Sequence, residues 1–586
     1  MLLMATLFLT ALGGASAKCR CTPRDACWPS TATWSSLNST VNGKLIANHP
    51  IAQPCYQGDE YDAALCDDIT ANWPNEWFRE ASPIGYSYPL VETCAPMNSS
   101  FPPVCDLGTA PVYTINATSE DDVVAGIRFA KENNVRLVIK NTGHDIVGRS
   151  QGYGSLSIWI KHIKDGICFQ EHYVSSVSCQ SNWTGSALAV GGGYVWDEVY
   201  AEAAKHGVIA VGGSDKSVGV IGGYLQGGGH GAVSHDFGLA TDQVLEYRVI
   251  LASGETVTAN ACESSDLFMA LRGGGGGTYG VVVSATIKAH PTRPVLMHSL
   301  EITPVGDNAS NFRNAIAGMV SRFPNLADGG IVGNALMTEN AYTHKFSKLL
   351  SANATHSDIT AGKTTVQKEV LDYLAPLNGT ALNIVSTFTQ FPNWQAYFDG
   401  SGTHLNDAGT SAILLSRFFD KASLISQQKN LSNLMTTLFT SPPSQAKPTA
   451  TVLELLLIGG GKVLDPAPLT AVNPAWRKTY LLMEVVETWS GSYGFQGRDE
   501  VFNDATNRKL KAMKGLTPGM GTYLNEADRN DREYKKDWYG DMYEWLNLVK
   551  RKYDPENVFW CHRCVGSEGW MEVLGGGGFG PLCEVE

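Results

Sequence analysis

Three things are scarce in this chain of 586 residues: long apolar runs, positive charge, and charge of any kind. Beyond its first seventeen residues nothing approaches the run of about 20 apolar residues that a membrane span requires, so no membrane partner is expected. Lys and Arg total 44 against 57 Asp and Glu, a net charge of -13, and such a surface repels nucleic acid and anionic lipid. No glycine cluster closes on Gly-Lys-Ser/Thr, which excludes a P-loop. No repeat of solenoid period is present. Cys561-His562-Arg563-Cys564 has no second pair at metal spacing, so disulfide is the better reading there and no metal site is expected. Only 17% of residues are charged while 43% are hydrophobic, the balance of a globular protein, and the length calls for two or more domains.

Glycine and cysteine are the residues in surplus. Thirteen cysteines all follow Ala17, and seven of them (Cys19, Cys21, Cys27, Cys55, Cys66, Cys94, Cys105) crowd the segment before residue 106. That density reads as a disulfide-stapled region made in an oxidising compartment. Cys168 and Cys179 are close enough for a local bridge, and Cys262 is expected to be the odd thiol. Met1 to Ala17 reads as a secretory signal peptide, an apolar stretch ending in Ala15-Ser16-Ala17. Eight Asn-x-Ser/Thr sequons, at Asn38, Asn98, Asn116, Asn182, Asn308, Asn353, Asn378 and Asn430, are acceptors for N-linked glycans on that route. The expected location is extracellular.

After the Cys-rich segment 18–105, an α/β rhythm begins. Ser119-Glu120-Asp121-Asp122 has the form of a capping box ahead of helical spacing from Val123. Val135–Lys140 reads as a strand that turns at Asn141–Asp145. Further strands are predicted at Ala187–Val190, Val208–Val211, Gln243–Ala252 and Val281–Ile287. Helices are predicted at Val195–His206, stopped by Gly207, and at Asp266–Leu271. Beyond Pro291 the glycine clusters thin out, and a final helix is predicted over Asp537–Lys550. The expected division is a signal peptide (1–17), a Cys-rich region (18–105), a cofactor domain (106–293), a substrate domain (294–530) and a C-terminal segment (531–586) that returns to the cofactor domain.

The 61 glycines fall in clusters between strands and helices, where successive backbone N–H groups can face phosphate oxygens. Gly275-Gly276-Gly277-Thr278-Tyr279-Gly280 satisfies G-x-G-x-x-G. A dinucleotide fingerprint, however, needs strand, glycines, then helix, and here a helix precedes and a β run follows. A different large phosphate-bearing cofactor held by several loops remains. Val138–Ser150, with Gly143-His144-Asp145 at its centre, resembles the flavin-attachment loop of the vanillyl-alcohol-oxidase/berberine-bridge superfamily, in its fungal secreted branch. Ala189–Gly193, Ser217–Gly231, Gly238–Asp242 and Leu271–Gly280 follow in the family's order, and Lys552–Pro555 with Val565–Glu568 resembles its closing segment.

The resemblance implies an α+β protein: a two-lobed PCMH-type FAD-binding domain beside a substrate domain whose antiparallel sheet is covered by helices. It implies FAD, carried covalently on His144. The cofactor would lie against Asn141, Thr142, Gly143, Asp145, Gly148, Arg149 and Ser150. It would also meet Gly213, Ser214, Ser217, Val218, Gly222, Gly223, Gly227, Gly228 and His230, then Gly280, Val281 and Asn525. Relatives with a second covalent bond use a cysteine just before the long glycine stretch; here Gly213–Val218 contains none, so one link is expected.

The expected chemistry is hydride transfer from an alcohol or amine carbon of a small organic substrate to flavin, with dioxygen reoxidising it to give peroxide. A flavin dehydrogenase or an oxidative cyclase is the alternative, and a secreted binding protein without turnover a further one. Two places offer the base that must take a substrate proton. On the strand Tyr480–Trp489, period 2 puts Leu482, Glu484 and Val486 on one face, making Glu484 a candidate and Glu487 structural. Tyr523-Leu524-Asn525 resembles the family's Tyr-x-Asn element, and Tyr523 is either base or core. Glu526 follows where many relatives have a second tyrosine.

Overall fold

The computed structural model describes residues 18–96, 105–175, 182–306, 308–401, 408–442, 447–489, 494–575 and 578–585. The signal-peptide expectation, Asn98 and Cys179 lie outside these.

Two sheets build the cofactor half. The first has the order Leu45–Ala47, Tyr113–Asn116, Ser155–Trp159, Arg136–Lys140, with the last three strands parallel. Parallel strands need a crossover, and the helix Glu120–Glu132 supplies it. Ser119 caps this helix in a reciprocal box with Asp122, and Val123, Ile127 and Ala130 are buried at helical spacing. The second sheet is antiparallel: Ile167–Gln170, Ala187–Gly191, Val281–Lys288, Val244–Ile250, Thr256–Asn260. The helix Trp196–Lys205 packs here and ends at Gly207, whose φ of +64° is the left-handed stop the sequence predicts.

A seven-stranded antiparallel sheet forms the other half, in the order Leu382–Phe391, Val295–Pro304, Tyr342–Leu349, Val332–Met337, Ala450–Leu457, Thr479–Thr488, Ala412–Asp420. The two faces of its strand Thr479–Thr488 have different neighbours. Leu481, Met483 and Val485 join the core under the helices Ala309–Val320 and Gln428–Phe439. Leu482, with Phe418 and Leu456 of the adjoining strands, packs toward Leu239, Trp476 and Tyr523 on the cofactor side. The alternation puts Glu484 on that second face, while Glu487 points into the helical layer and pairs with Lys509, both side chains wholly buried.

The N-terminal region is stapled as expected, by Cys21–Cys27, Cys55–Cys66 and Cys94–Cys105. Cys19 instead reaches Cys583, 564 residues away, on the C-terminal hairpin Trp570–Glu572/Leu582–Glu584, and Cys561 pairs with Cys564. Both expectations for the local thiols are corrected: Cys262 is disulfide-bonded, and Cys168 is free and exposed. Neither outcome follows from spacing, because a bridge depends on where distant strands bring two Cβ atoms. Two elements also differ from expectation. Only Val208–Ile209 of the strand Val208–Val211 pairs, with His290–Pro291. The last helix is two, Tyr534–Tyr539 and Tyr543–Tyr553, broken at Gly540 with φ +59°.

Candidate active site

The loop after strand Arg136–Lys140 is pinned before it reaches His144. Trp159 Nε1 donates to the Asn141 carbonyl (2.9 Å), and Asn141 Nδ2 donates to the Gly192 carbonyl (3.0 Å). Gly143 has φ +99°, and a Cβ there would stand 2.7 Å from the Gly85 carbonyl oxygen, so only glycine fits. Gly148 is hemmed in by Leu90 in the same way. The roof over this loop is the segment Ile84–Leu90 of the Cys-rich region: Ser87 N–H donates to the Gly143 carbonyl and Leu90 N–H to Gln151 Oε1.

His144 is 14% exposed and ringed by acids. Its Nε2 is 2.6 Å from Ser217 Oγ and 3.2 Å from Glu80 Oε1, while Nδ1 is 4.0 Å from Glu76 Oε1. Lys161 pairs with the other oxygen of Glu80. Burial works against the imidazolium, but the Glu80 hydrogen bond and the charges of Asp215, Glu76 and Glu80 outweigh it and raise the His144 pKa. Burial also pushes Glu76 up to about 7. Glu80 is buried as well, yet its hydrogen bonds and charge contacts with His144 and Lys161 hold it below the usual range. Beneath the loop Lys140 donates to the Ser82 carbonyl, and burial depresses it to about 7.

The predicted cradle residues converge from several elements. Arg149, ion-paired to Asp145, donates to Asn525 Oδ1 at 2.8 Å, and Asn525 Nδ2 donates to the Gly223 carbonyl at 2.8 Å. Gly222, Gly223 and Gly227 lie in the kinked helical stretch Val220–Gly227, which the glycine run conceals, and Gly228 ends it at φ +131°. Asn525 closes on Gly227 so tightly that a Cβ would stand 2.4 Å from its amide, and Gly276 packs directly on Gly223. Ser217 belongs to the His144 group. Val218 accepts from Trp196 N–H, Gly213 accepts from Tyr200, and Thr142 is buried in the His144 loop. Ser214 meets Asn334 of the substrate sheet. Gly280 and Val281 pack as core against Ile250, at the start of their strand.

These residues fit FAD. Buried polar atoms with no protein partner, Asn141 Oδ1, Ser150 Oγ, Gln226 Oε1 and Thr278 Oγ1, sit on the three glycine-bearing loops, and a polar ligand would satisfy them. A cation is a poorer match to the acidic groups. The Ser217 hydroxyl, 3.1 Å from Glu76 Oε2 and 3.0 Å from Asp215 Oδ1, occupies the centre of the first. Lys514 bridges Asp531, Glu533 and Asp537.

Facing the cradle, Glu454 and Glu484 are direct cross-strand partners on the cofactor side of the large sheet. Glu484 hydrogen-bonds Glu526, whose Oε2 is 3.1 Å from His230 Nε2. Burial, with the charges of Glu526 and Glu454, drives Glu484 well above the carboxylate range and keeps it protonated. Glu526 is half-buried, its side chain 28% exposed, and His230 and the Glu484 proton outweigh its desolvation and draw it below that range. Burial raises Glu454 to about 7. Tyr523 OH accepts from Gly229 N–H (3.2 Å) and Asn525 Nδ2 (2.6 Å), and burial holds its phenol protonated. Tyr88 belongs to the roof segment; burial, with the charges of Glu454, Glu76, Asp215 and Glu484, raises its phenol pKa.

The sequence reading missed Glu76, Glu80, Lys161, Glu454 and Tyr88. Only the Glu76/Glu80 pair left a signal, an i, i+4 spacing behind the cap residue Asn75.

Residues 111–260 match the FAD binding domain family, and residues 522–566 match the "Berberine and berberine like" family. The FAD-linked oxidoreductase apf9 of Gibberella fujikuroi is 38% identical over 96% of each chain. The VAO-type flavoprotein oxidase VAO615 of Thermothelomyces thermophilus is 33% identical over 96% of this chain and 95% of its own. The crystal structure of the VAO-type flavoprotein MtVAO713 from Myceliophthora thermophila superposes with a TM-score of 0.91 at 36% identity, covering 97% of this chain and 100% of that one. A glycine-walled cradle with an enclosed histidine, facing a carboxylate-bearing sheet, is the site of a flavoprotein oxidoreductase. The chain belongs to the vanillyl-alcohol-oxidase/berberine-bridge-type FAD-linked oxidoreductases.

Proposed function

We propose that the protein is a secreted oxidase that carries FAD on one covalent bond to His144 and oxidises a CH–OH carbon of a small, uncharged polar substrate. One observation carries the reading: Glu484, Glu526 and His230 form a hydrogen-bonded relay between the substrate sheet and the glycine cradle. Bound flavin supplies the hydride acceptor and passes the electrons to dioxygen. The chain's own work is proton handling. Glu526, the ionised member of the pair, takes the hydroxyl proton; Glu484 holds a proton that steadies the carboxylate; His230 Nε2, 3.1 Å from Glu526 Oε2, holds it in place. With Glu484 neutral and Glu526 ionised, the pocket offers hydrogen-bond donors and acceptors beside a carboxylate, which suits an alcohol better than an anion.

The five disulfides described and the absence, among the described residues, of a helix able to cross a membrane agree with an extracellular protein, and the sequons would carry N-linked glycans there. The test is peroxide release from purified protein across a panel of alcohols, sugars and phenols. Substrate-dependent flavin bleaching without peroxide would identify a dehydrogenase, and a rearranged product a cyclase. No bleaching on any of them would defeat the reading.

A further inference from the structure

Burying a carboxylate costs several kcal/mol unless it has a partner. Glu76 and Glu80 stand one turn apart on the short helix Glu76–Glu80, 0% and 1% exposed. Glu80 has two partners, His144 and Lys161. Glu76 is only half served: its Oε2 meets Ser217, but Oε1 has no hydrogen-bond partner and faces His144 Nδ1 from 4.0 Å. That nitrogen is the one Glu80 and Ser217 leave alone.

We propose that Glu76 and Glu80 prepare His144 for flavin attachment and select Nδ1 as the bonding atom; this rests on His144 being the flavin-linked residue. The Nε2–H donates to Glu80 Oε1 and Ser217 Oγ, which fixes the tautomer and leaves the lone pair on Nδ1. When the ring is doubly protonated, Glu76 Oε1 takes the Nδ1 proton. A bond then forms between Nδ1 and the 8α carbon of the isoalloxazine, and an 8α C–H bond breaks with loss of its proton. The two electrons left on the ring pass to dioxygen, which becomes hydrogen peroxide with the 8α proton and one imidazole proton: the Nδ1 proton held by Glu76, or, when the ring starts neutral, the Nε2 proton shed to Glu80. Lys161 keeps Glu80 ionised for its part. The pair lies in the Cys-rich region, so that region assembles the cofactor site as well as roofing it.

The experiment gives FAD, in air, to protein produced under riboflavin limitation, and follows covalent label by the fluorescence of denatured gels. Wild type should label fully and His144→Ala not at all. Glu80→Ala and Glu76→Gln should bind FAD that acid precipitation releases, and should label about a hundred-fold more slowly. Glu80→Gln still accepts from Nε2–H and should fall between. Fragmentation of the wild-type flavinyl peptide should place the bond on Nδ1. Wild-type labelling rates in both Glu80→Ala and Glu76→Gln, or a bond on Nε2, would overturn the proposal. If Glu76→Gln binds no FAD, Glu76→Asp decides: slowed labelling supports the role and an unchanged rate refutes it. Unlabelled wild type would instead defeat the covalent reading beneath it.

Discussion

Replacing Glu526 by Gln should cost this enzyme far more than replacing Glu484, although Glu484 is the residue the strand pattern singles out. The two carboxyls share one proton, and their surroundings divide it unequally. Burial, with the charges of Glu526 and Glu454, raises Glu484, whereas His230 at 3.1 Å draws Glu526 down. Only the ionised member can accept a substrate proton. A positioned general base contributes about 10²–10⁴ in rate, which is about 3–5 kcal/mol of barrier at 1.36 kcal/mol per factor of ten. Glu526→Gln should lose that amount in the rate of anaerobic flavin reduction while keeping its flavin. In Glu484→Gln the amide still donates to Glu526, so the loss should be about ten-fold. The acid limb of the rate profile should lie below the ordinary glutamate range, because Glu526 is depressed. Stopped-flow reduction of both variants with a turned-over substrate measures this. A larger loss in Glu484→Gln would show that Glu484 is the base and that the proton has been assigned to the wrong carboxyl.

Three other outcomes follow from the same geometry. Lys509→Met strands Glu487 uncompensated in the helical core and should destabilise by about 3–5 kcal/mol in urea unfolding, while Lys509→Met/Glu487→Leu should recover most of it. Gly143→Ala forces a Cβ toward the Gly85 carbonyl at positive φ and should abolish covalent flavin as read on a denaturing gel. Glu454, raised to about 7 against an unfolded value of 4.5, binds its proton more tightly when folded. Its contribution is therefore complete below pH 4.5 and fades as the pH rises through about 7, a loss of about 3 kcal/mol at 1.36 kcal/mol per unit. Unfolding of wild type and Glu454→Gln from pH 4 to 8 should show a shallower slope in the variant.

What the sequence alone determined is what local physics writes into neighbouring residues. The Ser119–Asp122 box, the stop at Gly207, the two-faced strand carrying Glu484 and Glu487, and glycines where backbone meets backbone all depend on a few adjacent positions. His144 stood out through the resemblance of Val138–Ser150 to a flavin-attachment loop, and the structure adds why Gly143 and Gly148 admit no side chain there. What only the tertiary structure decided is which distant groups share a volume. Nothing local brings Cys19 to Cys583, frees Cys168 or binds Cys262. Nor does anything local set Glu76 and Glu80 around His144, or place Glu526 between Glu484 and His230. Ionisation at this site is a sum over charges and desolvation contributed from across the fold, so the proton between two glutamates has no address in either one's neighbours along the chain.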